Sequence, residues 1–535
     1  MKVIKTINTL EEEVIDHPTG LISVDDFTDI IRDVEMELPE NAPPRNDKKL
    51  ITLDHKDVLT NLLEELKPIN FEMRVADTEA GKLAKKHFLI LSCEEVLAKA
   101  KENYWSLCKS NGFIYAFNIA FWKQLSKEDL MHFLGEAAEK RGVEIFDARH
   151  YSFKLEMLKQ FLSMSYLQRP ERKGEEVLIN LKNGTFVITP DSQTLKSFDS
   201  SDFLTYQLQF EYQGDAVAPI FKKYLDKVLP DSDQQKVLAE YIVSLFIKQR
   251  TLKLEKALVL FGNGANGKSV FSDTICALLG SENVCNYSLE SLTNNTGNQR
   301  AKLGDKLLNY ASEISPRMDS TLFKQLISGE PVEARLLYQD AILVEDYAKF
   351  IFNTNTLPKD VEHNEAFFRR FLLIHFNVTI PEADRDPQLA SIIIKDELPG
   401  VFNWALEGLK RLLDNKKFTE SEAIKLAVTE YRMNSDTVHL FLEDAGYTPC
   451  QLQEKPLKFL YQEYRTYCIE SGNRPCEDRS FGKRMEQHSY VKVRKSSGWF
   501  VGIKKVLPMP PFPSPGVLVD LYGETNVANV LNVAI

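Results

Sequence analysis

The residues best suited to chemistry lie in one stretch of the chain. ALVLFGNGANGKSVF contains G-x-x-x-x-G-K-S, running from Gly262 to Ser269. An apolar strand pattern, Ala257–Phe261, precedes it, and a helix pattern, Val270–Leu279, follows. That is the context a phosphate-binding loop requires. Gly262, Asn263, Gly264, Ala265, Asn266 and Gly267 are expected to wrap phosphates with backbone N–H groups, and the helix N-terminus adds positive potential. Lys268 is placed to reach the β- and γ-phosphates, and the Ser269 hydroxyl to hold Mg²⁺. The expected ligands are therefore ATP and Mg²⁺. Such a loop alone means only nucleotide binding; hydrolysis needs a carboxylate near the metal and the attacking water. KLLNYASEI is the next apolar strand, and Glu313 is the first acid after Leu307–Ala311. Glu313 is thus expected to share the metal and activate water. Another strand, KFIFNTNTLP, ends in Asn353 and Asn355. A strand-tip amide beside the γ-phosphate can orient that water; the plainer alternative is a turn asparagine before Pro358. Downstream, NEAFFRRFLLIHF sets Arg369 and Arg370 between aromatic residues and an apolar run. Arginine is rarely buried without a partner anion, and the core strand Phe371–Phe376 fixes this pair at its start.

Elements must position these groups, and composition bounds what they are. The 535 residues are 43% hydrophobic and 27% charged, ordinary for a globular chain, and the length leaves room for roughly three domains. No apolar run approaches the ~18 residues of a membrane span, so no membrane partner is expected. The start, MKVIKTINTLEEEVIDH, lacks the apolar stretch of a secretory signal. Seven cysteines show no C-x-x-C pair. That argues against a zinc site and for reduced thiols in a cytosol-like compartment, such as a bacterial host cytoplasm. The net charge of −11 weighs weakly against nucleic acid, but the charge is uneven. Residues 1–50 are acidic, whereas 450–506 carry roughly +6 by side-chain count, and charge is properly read per segment.

Periodicity divides the chain further. NAPPRNDKK (41–49) reads as a linker. Helical periods dominate from about 57 to 165, including EEVLAKAKENYWSLC, with a strand pair in GFIYAFNIAFWKQL. EVLINLKNGTFVI carries the hairpin signal Asn183-Gly184. Helices are expected over about 219–250, alternating strands and helices over 256–380, and helices again to about 445. PLKFLYQEYRTYCIESG and RSFGKRMEQHSYVKVRKSSGWFVGIKK then read as helix, helix and hairpin, the winged-helix pattern. Arg479, Lys483 and Arg484 on the second helix, with Lys492, Arg494, Lys495, Lys504 and Lys505 on the hairpin, suit DNA phosphates. The alternative is a solvated basic face on a protein-contact module.

The order P-loop, strand with Glu313, strand with Asn355, then Arg369-Arg370 resembles the superfamily 3 helicases. It is most similar to the phage and plasmid primase–helicase family related to the poxvirus helicase–primase. INLKNGTFVI and FEYQGDAVAPIFKKYLDKVLPD resemble that family's domain before the motor; GDKLLNYASEI its Walker B strand; FKQLISGEPVEARLLYQD its B′ motif; FIFNTNTLP its sensor; and PGVFNWALEGLKRLL the helical segment that follows. The resemblance spans about 100–415. It implies phosphate and Mg²⁺ binding by Gly262, Gly267, Lys268 and Ser269, and a Walker B acid at Glu313. It makes Asn355, not Asn353, the sensor, and places Arg369 and Arg370 at the arginine-finger position. It also implies a DNA-contacting hairpin in a ring's channel, with Lys324, Arg335 and Tyr338 as candidates. Where many relatives have two adjacent acids, Ser312 precedes Glu313, and Gln339 stands where relatives often have a base.

The expected fold is a multidomain α/β protein: an AAA+-like P-loop core, an N-terminal α+β domain and a C-terminal winged-helix-like domain. The expected boundaries are an acidic segment (1–55), the α+β domain (56–215), a helical collar (216–250), the ATPase core (251–380), a helical extension (381–445), the basic winged unit (446–506) and a Pro-rich tail (507–535). The expected function is a replicative ATP-dependent DNA helicase of a mobile element, a homo-oligomeric, hexameric ring hydrolysing ATP between subunits. Single-stranded DNA would lie in its channel, duplex at the C-terminal unit, and a separate primase or polymerase beside it. No Asp-x-Asp occurs in the first 150 residues, and primase chemistry needs clustered carboxylates for two metals, so no primase activity is expected. The rival readings are a P-loop kinase, a DNA-packaging ATPase, and an initiator or loader that uses ATP only as a switch.

Overall fold

The computed structural model describes residues 53–76, 83–110, 112–167, 176–189, 192–314, 318–336, 340–358 and 361–506. The acidic segment before residue 53 and the Pro-rich tail from 507 lie outside them. The first sheet is antiparallel, β1 (Ser106–Ser110), β2 (Phe113–Phe117) and β3 (Trp122–Leu125). Its central strand alternates between two partners, as strand geometry demands. Ile114 and Ala116 face helices 85–102, 127–141 and 151–164, whereas Tyr115 and Phe117 meet Trp122 and Phe203. β1 interrupts what the sequence reads as one helical period through Cys108. The helix ends at Glu102, and Tyr104 takes a left-handed φ of 59° that turns the chain into the strand. The Asn183-Gly184 signal does sit at a hairpin, between β4 (Val177–Leu181) and β5 (Gly184–Ile188), with β6 (Gln193–Lys196) at the edge.

The central sheet is parallel and five-stranded: β7 (Ala257–Phe261), β8 (Val284–Cys285), β9 (Leu308–Ala311), β12 (Lys349–Thr354) and β13 (Phe371–His375), in the order β13-β7-β12-β9-β8. Near-continuous apolar strands such as ALVLF and FLLIH suit a sheet covered on both faces. Alternation again sorts them. Leu258, Leu260, Leu372 and Ile374 pack on helices Lys268–Leu279, Ser232–Ser244 and Leu398–Asn415; Val259, Phe352, Phe371 and Leu373 pack on the other side with Phe323, Phe367 and Tyr431. Between β9 and β12 the chain projects a helix, Ser320–Ile327, and a hairpin of β10 (Val332–Arg335) and β11 (Ala341–Val344).

Two buried carboxylates lash the later helices to the earlier ones. Glu397 accepts from the backbone N–H groups of Ile220 (2.9 Å) and Phe221 (2.8 Å), so it caps helix Pro219–Val228 from far along the chain. Glu240, fully buried, accepts from Thr419 N at 2.7 Å and from Arg411 Nε at 3.1 Å. The C-terminal unit has helices Leu457–Glu470 and Asp478–Gln487 and a sheet ordered β14-β16-β15: β14 (Tyr447–Pro456), β15 (Lys492–Lys495) and β16 (Gly498–Lys505). β14 is an addition to the expected helix, helix and hairpin. Its Pro449 and Pro456 disguise it in sequence, and an edge strand tolerates them because it needs no N–H on its outer side.

His55 ties the N-terminal helices to this frame. It is buried, its Nε2 lies 3.0 Å from the Phe121 carbonyl, and burial pushes its pKa down to about 4. The folded state keeps it neutral, while the unfolded chain takes up a proton below about 6.5. Its stabilising contribution should be complete above pH 6.5 and vanish as pH falls to 4, a change of up to about 3 kcal/mol. Thermal melts over that window should show a flatter pH dependence in His55→Gln than in the wild type; identical slopes would mean His55 titrates normally.

Candidate nucleotide-binding site

The loop between β7 and its helix turns where glycine is required. Gly262, Gly264 and Gly267 have φ of 152°, 92° and 88°, and Ala265 sits at 50°. A Cβ on Gly262 would fall 2.3 Å from the Phe376 carbonyl oxygen and 2.4 Å from Asn266 Nδ2. The loop is clamped from two sides. Asn266 Nδ2 donates to Phe376 O at 2.9 Å, and Ile380 N donates to Ala265 O at 2.8 Å. From below, the Tyr224 hydroxyl donates to Gly267 O at 2.7 Å.

Lys268 is 5% exposed. Its Nζ donates to Gly262 O (2.7 Å), Asn266 Oδ1 (3.2 Å) and Asn355 Oδ1 (3.4 Å). Among the described residues it has no carboxylate partner, and burial lowers its pKa. A desolvated ammonium held only by neutral oxygens is a site for an anion, because water no longer screens the attraction. Around it opens a cavity of about 1080 Å³, lined by the loop, Ser269, Glu313, Asn353 and Asn355. That volume suits a nucleotide-sized ligand. Asn353 is occupied as a brace, its Nδ2 donating to Tyr310 Oη of β9 at 2.9 Å. The remaining wall comes from residues with no signal of their own in sequence. Ile220, Lys223, Tyr224 and Lys227 arrive on helix Pro219–Val228, and Ile380, Arg385 and Leu389 on the segment after β13. No group of three or more His, Cys, Asp or Glu poised for a metal occurs among the described residues. A hydroxyl (Ser269) and one carboxylate (Glu313) on one cavity fit Mg²⁺, which is usually held by few protein ligands plus phosphate oxygens and water.

Arg369 and Arg370 do not line this cavity. Arg370 is buried at 7% exposure; its guanidinium bonds the Ala366 carbonyl and, at 2.8 Å, Ser328 Oγ. Arg369 keeps 55% of its side chain exposed and pairs loosely with Glu255 at 3.5 Å. It lines a separate cavity of about 570 Å³ together with Lys253, Lys256 and Lys417.

The residues assigned to DNA are dispersed. Lys324 lies on the helix before the hairpin and pairs with Glu362 at 3.0 Å. Arg335 ends β10, opposite Ala341, and Tyr338 lies outside the described residues. In the C-terminal unit Arg479, Lys483 and Arg494 are exposed, and Lys492 pairs with Glu486 at 3.1 Å. Arg484 faces inward to Asp436 at 3.2 Å, alongside His488 at 2.8 Å. Burial opposes the charge on Asp436, but the His488 hydrogen bond and the neighbouring His363 and Arg484 outweigh it and hold the carboxyl at about 2. Arg484 therefore fastens this unit to the preceding helix.

Two family models match separate parts of the chain. Residues 94–230 match a family model described as "D5 N terminal like", and residues 260–370 match a family of unknown function, DUF5906. The chain is also similar to solved apo structures of the NrS-1 C-terminal region. One, the A form, is 14% identical with a TM-score of 0.43, covering 78% of this chain and 99% of that one. A second is 13% identical with a TM-score of 0.40, over 78% of this chain and 99% of that one.

Gly262→Ala should weaken binding of a fluorescent ATP analogue by at least about tenfold, since one lost or misplaced loop contact is worth a kcal/mol or more. Wild-type affinity in that variant would mean the loop relaxes away from Phe376.

Proposed function

We propose that this chain is an ATP-dependent DNA helicase whose subunits hydrolyse ATP in a ring. The observation that carries the reading is the buried Lys268 ammonium, unpaired with any carboxylate among the described residues and directed at Asn355 in a cavity that also holds Ser269 and Glu313. The strand order supports it: β12 lies between the P-loop strand β7 and the acid-bearing strand β9. Asn355 lies 3.4 Å from Lys268 Nζ and lines the same cavity as Glu313, which supports reading it as the amide that orients an attacking water. The "D5 N terminal like" match over 94–230 supports the resemblance to primase–helicase proteins.

In the mechanism we infer, the loop N–H groups receive the phosphates and Lys268 exchanges Gly262 O for phosphate oxygens. Ser269 and Glu313 would hold Mg²⁺, which supplies charge neutralisation at the β- and γ-phosphates. Asn355 aligns water, its oxygen attacks the γ-phosphorus, the bond to the β–γ bridging oxygen breaks, and the water's proton passes to Glu313. Lys223 and Arg385 bring positive charge to the wall, which also holds Asp386 and an ion pair of Lys227 with Asp384 at 3.1 Å. Arg369 is the arginine with the freedom to act: exposed, outside its own subunit's nucleotide cavity, and available to a neighbour's γ-phosphate. An arginine supplied this way adds roughly 10³–10⁵ in rate in other phosphoryl-transfer systems. Arg370 serves the fold by anchoring the strand start to Ser328. Arg335 on the β10–β11 hairpin is the candidate contact to single-stranded DNA.

Lys268→Ala should lower ATPase by roughly 10²-fold or more, the scale of losing one pre-positioned donor, and abolish unwinding; retained unwinding refutes the mechanism. Mixing inactive Lys268→Ala with inactive Arg369→Ala should restore part of the ATPase as subunits exchange. Arg370→Ala should instead lower the melting temperature. Absence of rescue would place Arg369 outside the interface, and ATPase indifferent to DNA at low salt would favour the packaging or switch readings.

A further inference from the structure

We propose that Trp499, at the tip of the C-terminal hairpin, stacks on the exposed base at a junction between duplex and single-stranded DNA. The proposal rests on reading this unit as DNA-binding and adds a residue and a substrate feature to that reading. Register places Lys492 opposite Val501 and Arg494 opposite Trp499, so all four side chains share one face of the hairpin. At Val501 that face is core, with no exposure, because the two helices cover it; at Trp499 the strands have outrun the helices and the indole is 48% exposed. Two cations flank the ring: Lys492 Nζ lies 5.4 Å and Arg494 Cζ 5.9 Å from its centroid. Lys492 also lies across the second helix, its Nζ 3.2 Å from where a Cβ on Gly482 would be. The indole, both cations and the helix bearing Arg479 and Lys483 therefore form one continuous surface.

Charge selects the partner. Residues 478–505 hold eight lysines and arginines against two acidic residues. Arg484, Lys492 and Lys495 are paired with Asp436, Glu486 and Glu454, and the exposed Arg479, Lys483, Arg494, Lys504 and Lys505 suit a polyanion. The indole selects the part of it. Inside a duplex every base face is already stacked, whereas the last pair or an unpaired base offers a free π-face, and aromatic side chains with flanking arginine bind such faces. Arg479 and Lys483 would take phosphates of the adjoining duplex, which positions the hairpin at its end.

The test measures binding of the full chain, without nucleotide, to forked DNA and to covalently closed circular duplex, which has no ends. Trp499→Ala should weaken fork binding by about 5- to 150-fold, the range for loss of one stacked base. It should leave circular duplex and the salt dependence unchanged, while Trp499→Phe keeps most of the fork affinity. The doubly substituted Arg479→Ala/Arg494→Ala protein should weaken both DNAs and flatten the salt dependence. DNA-independent ATPase in each variant checks that the fold is intact. Undiminished fork binding by Trp499→Ala, or equal losses on both DNAs, overturns the stacking role while the arginine result keeps the unit DNA-binding. Undiminished binding by the arginine variant overturns that underlying reading instead.

Discussion

A buried ammonium with no carboxylate partner among the described residues organises the centre of this protein. Lys268 is surrounded by carbonyl and amide oxygens that are good enough to hold it and not charged enough to neutralise it. Keeping a cation in that state requires a rigid cradle, and much of the surrounding fold provides one. The return of the chain after β13 pins Asn266 and Ala265 through Phe376 and Ile380. Tyr224 pins Gly267 from the opposite side. Glu397, capping the helix that carries Tyr224, connects the cradle to the long helix after it. The cradle thus depends on contacts between segments 43 to 177 residues apart in sequence.

The same economy explains the two adjacent arginines. Both stand in the short turn between helix Glu365–Phe368 and β13, and there the two adjacent side chains take different surroundings. Arg370 turns into the core, where its guanidinium finds Ser328 and a backbone carbonyl. Arg369 turns out, beside Glu255 and a group of lysines. Their shared signal in sequence divides into a buried anchor and an exposed charge loosely paired with Glu255.

A similar division runs through the C-terminal unit. Adjacent basic residues look alike in sequence, but Asp436 captures Arg484 and His488, and Glu486 engages Lys492. Arg479, Lys483 and Arg494 remain for solvent or a ligand. The strand β14 escaped the sequence reading because its prolines oppose the strand pattern, and only its place at a sheet edge makes them harmless.

Sequence by itself determined the loop from Gly262 to Ser269, the strands carrying Glu313 and Asn355, and the N-terminal hairpin at Asn183-Gly184. Each depends on local backbone demands: positive φ at glycines, period-two alternation and helix initiation. Sequence could not determine the wall built by Lys223, Tyr224, Lys227 and Arg385, the unlike fates of Arg369 and Arg370, or the capture of Arg484. Those are decided by tertiary structure, because burial and ion pairing depend on which distant segment arrives at a residue, and no local pattern encodes that arrival.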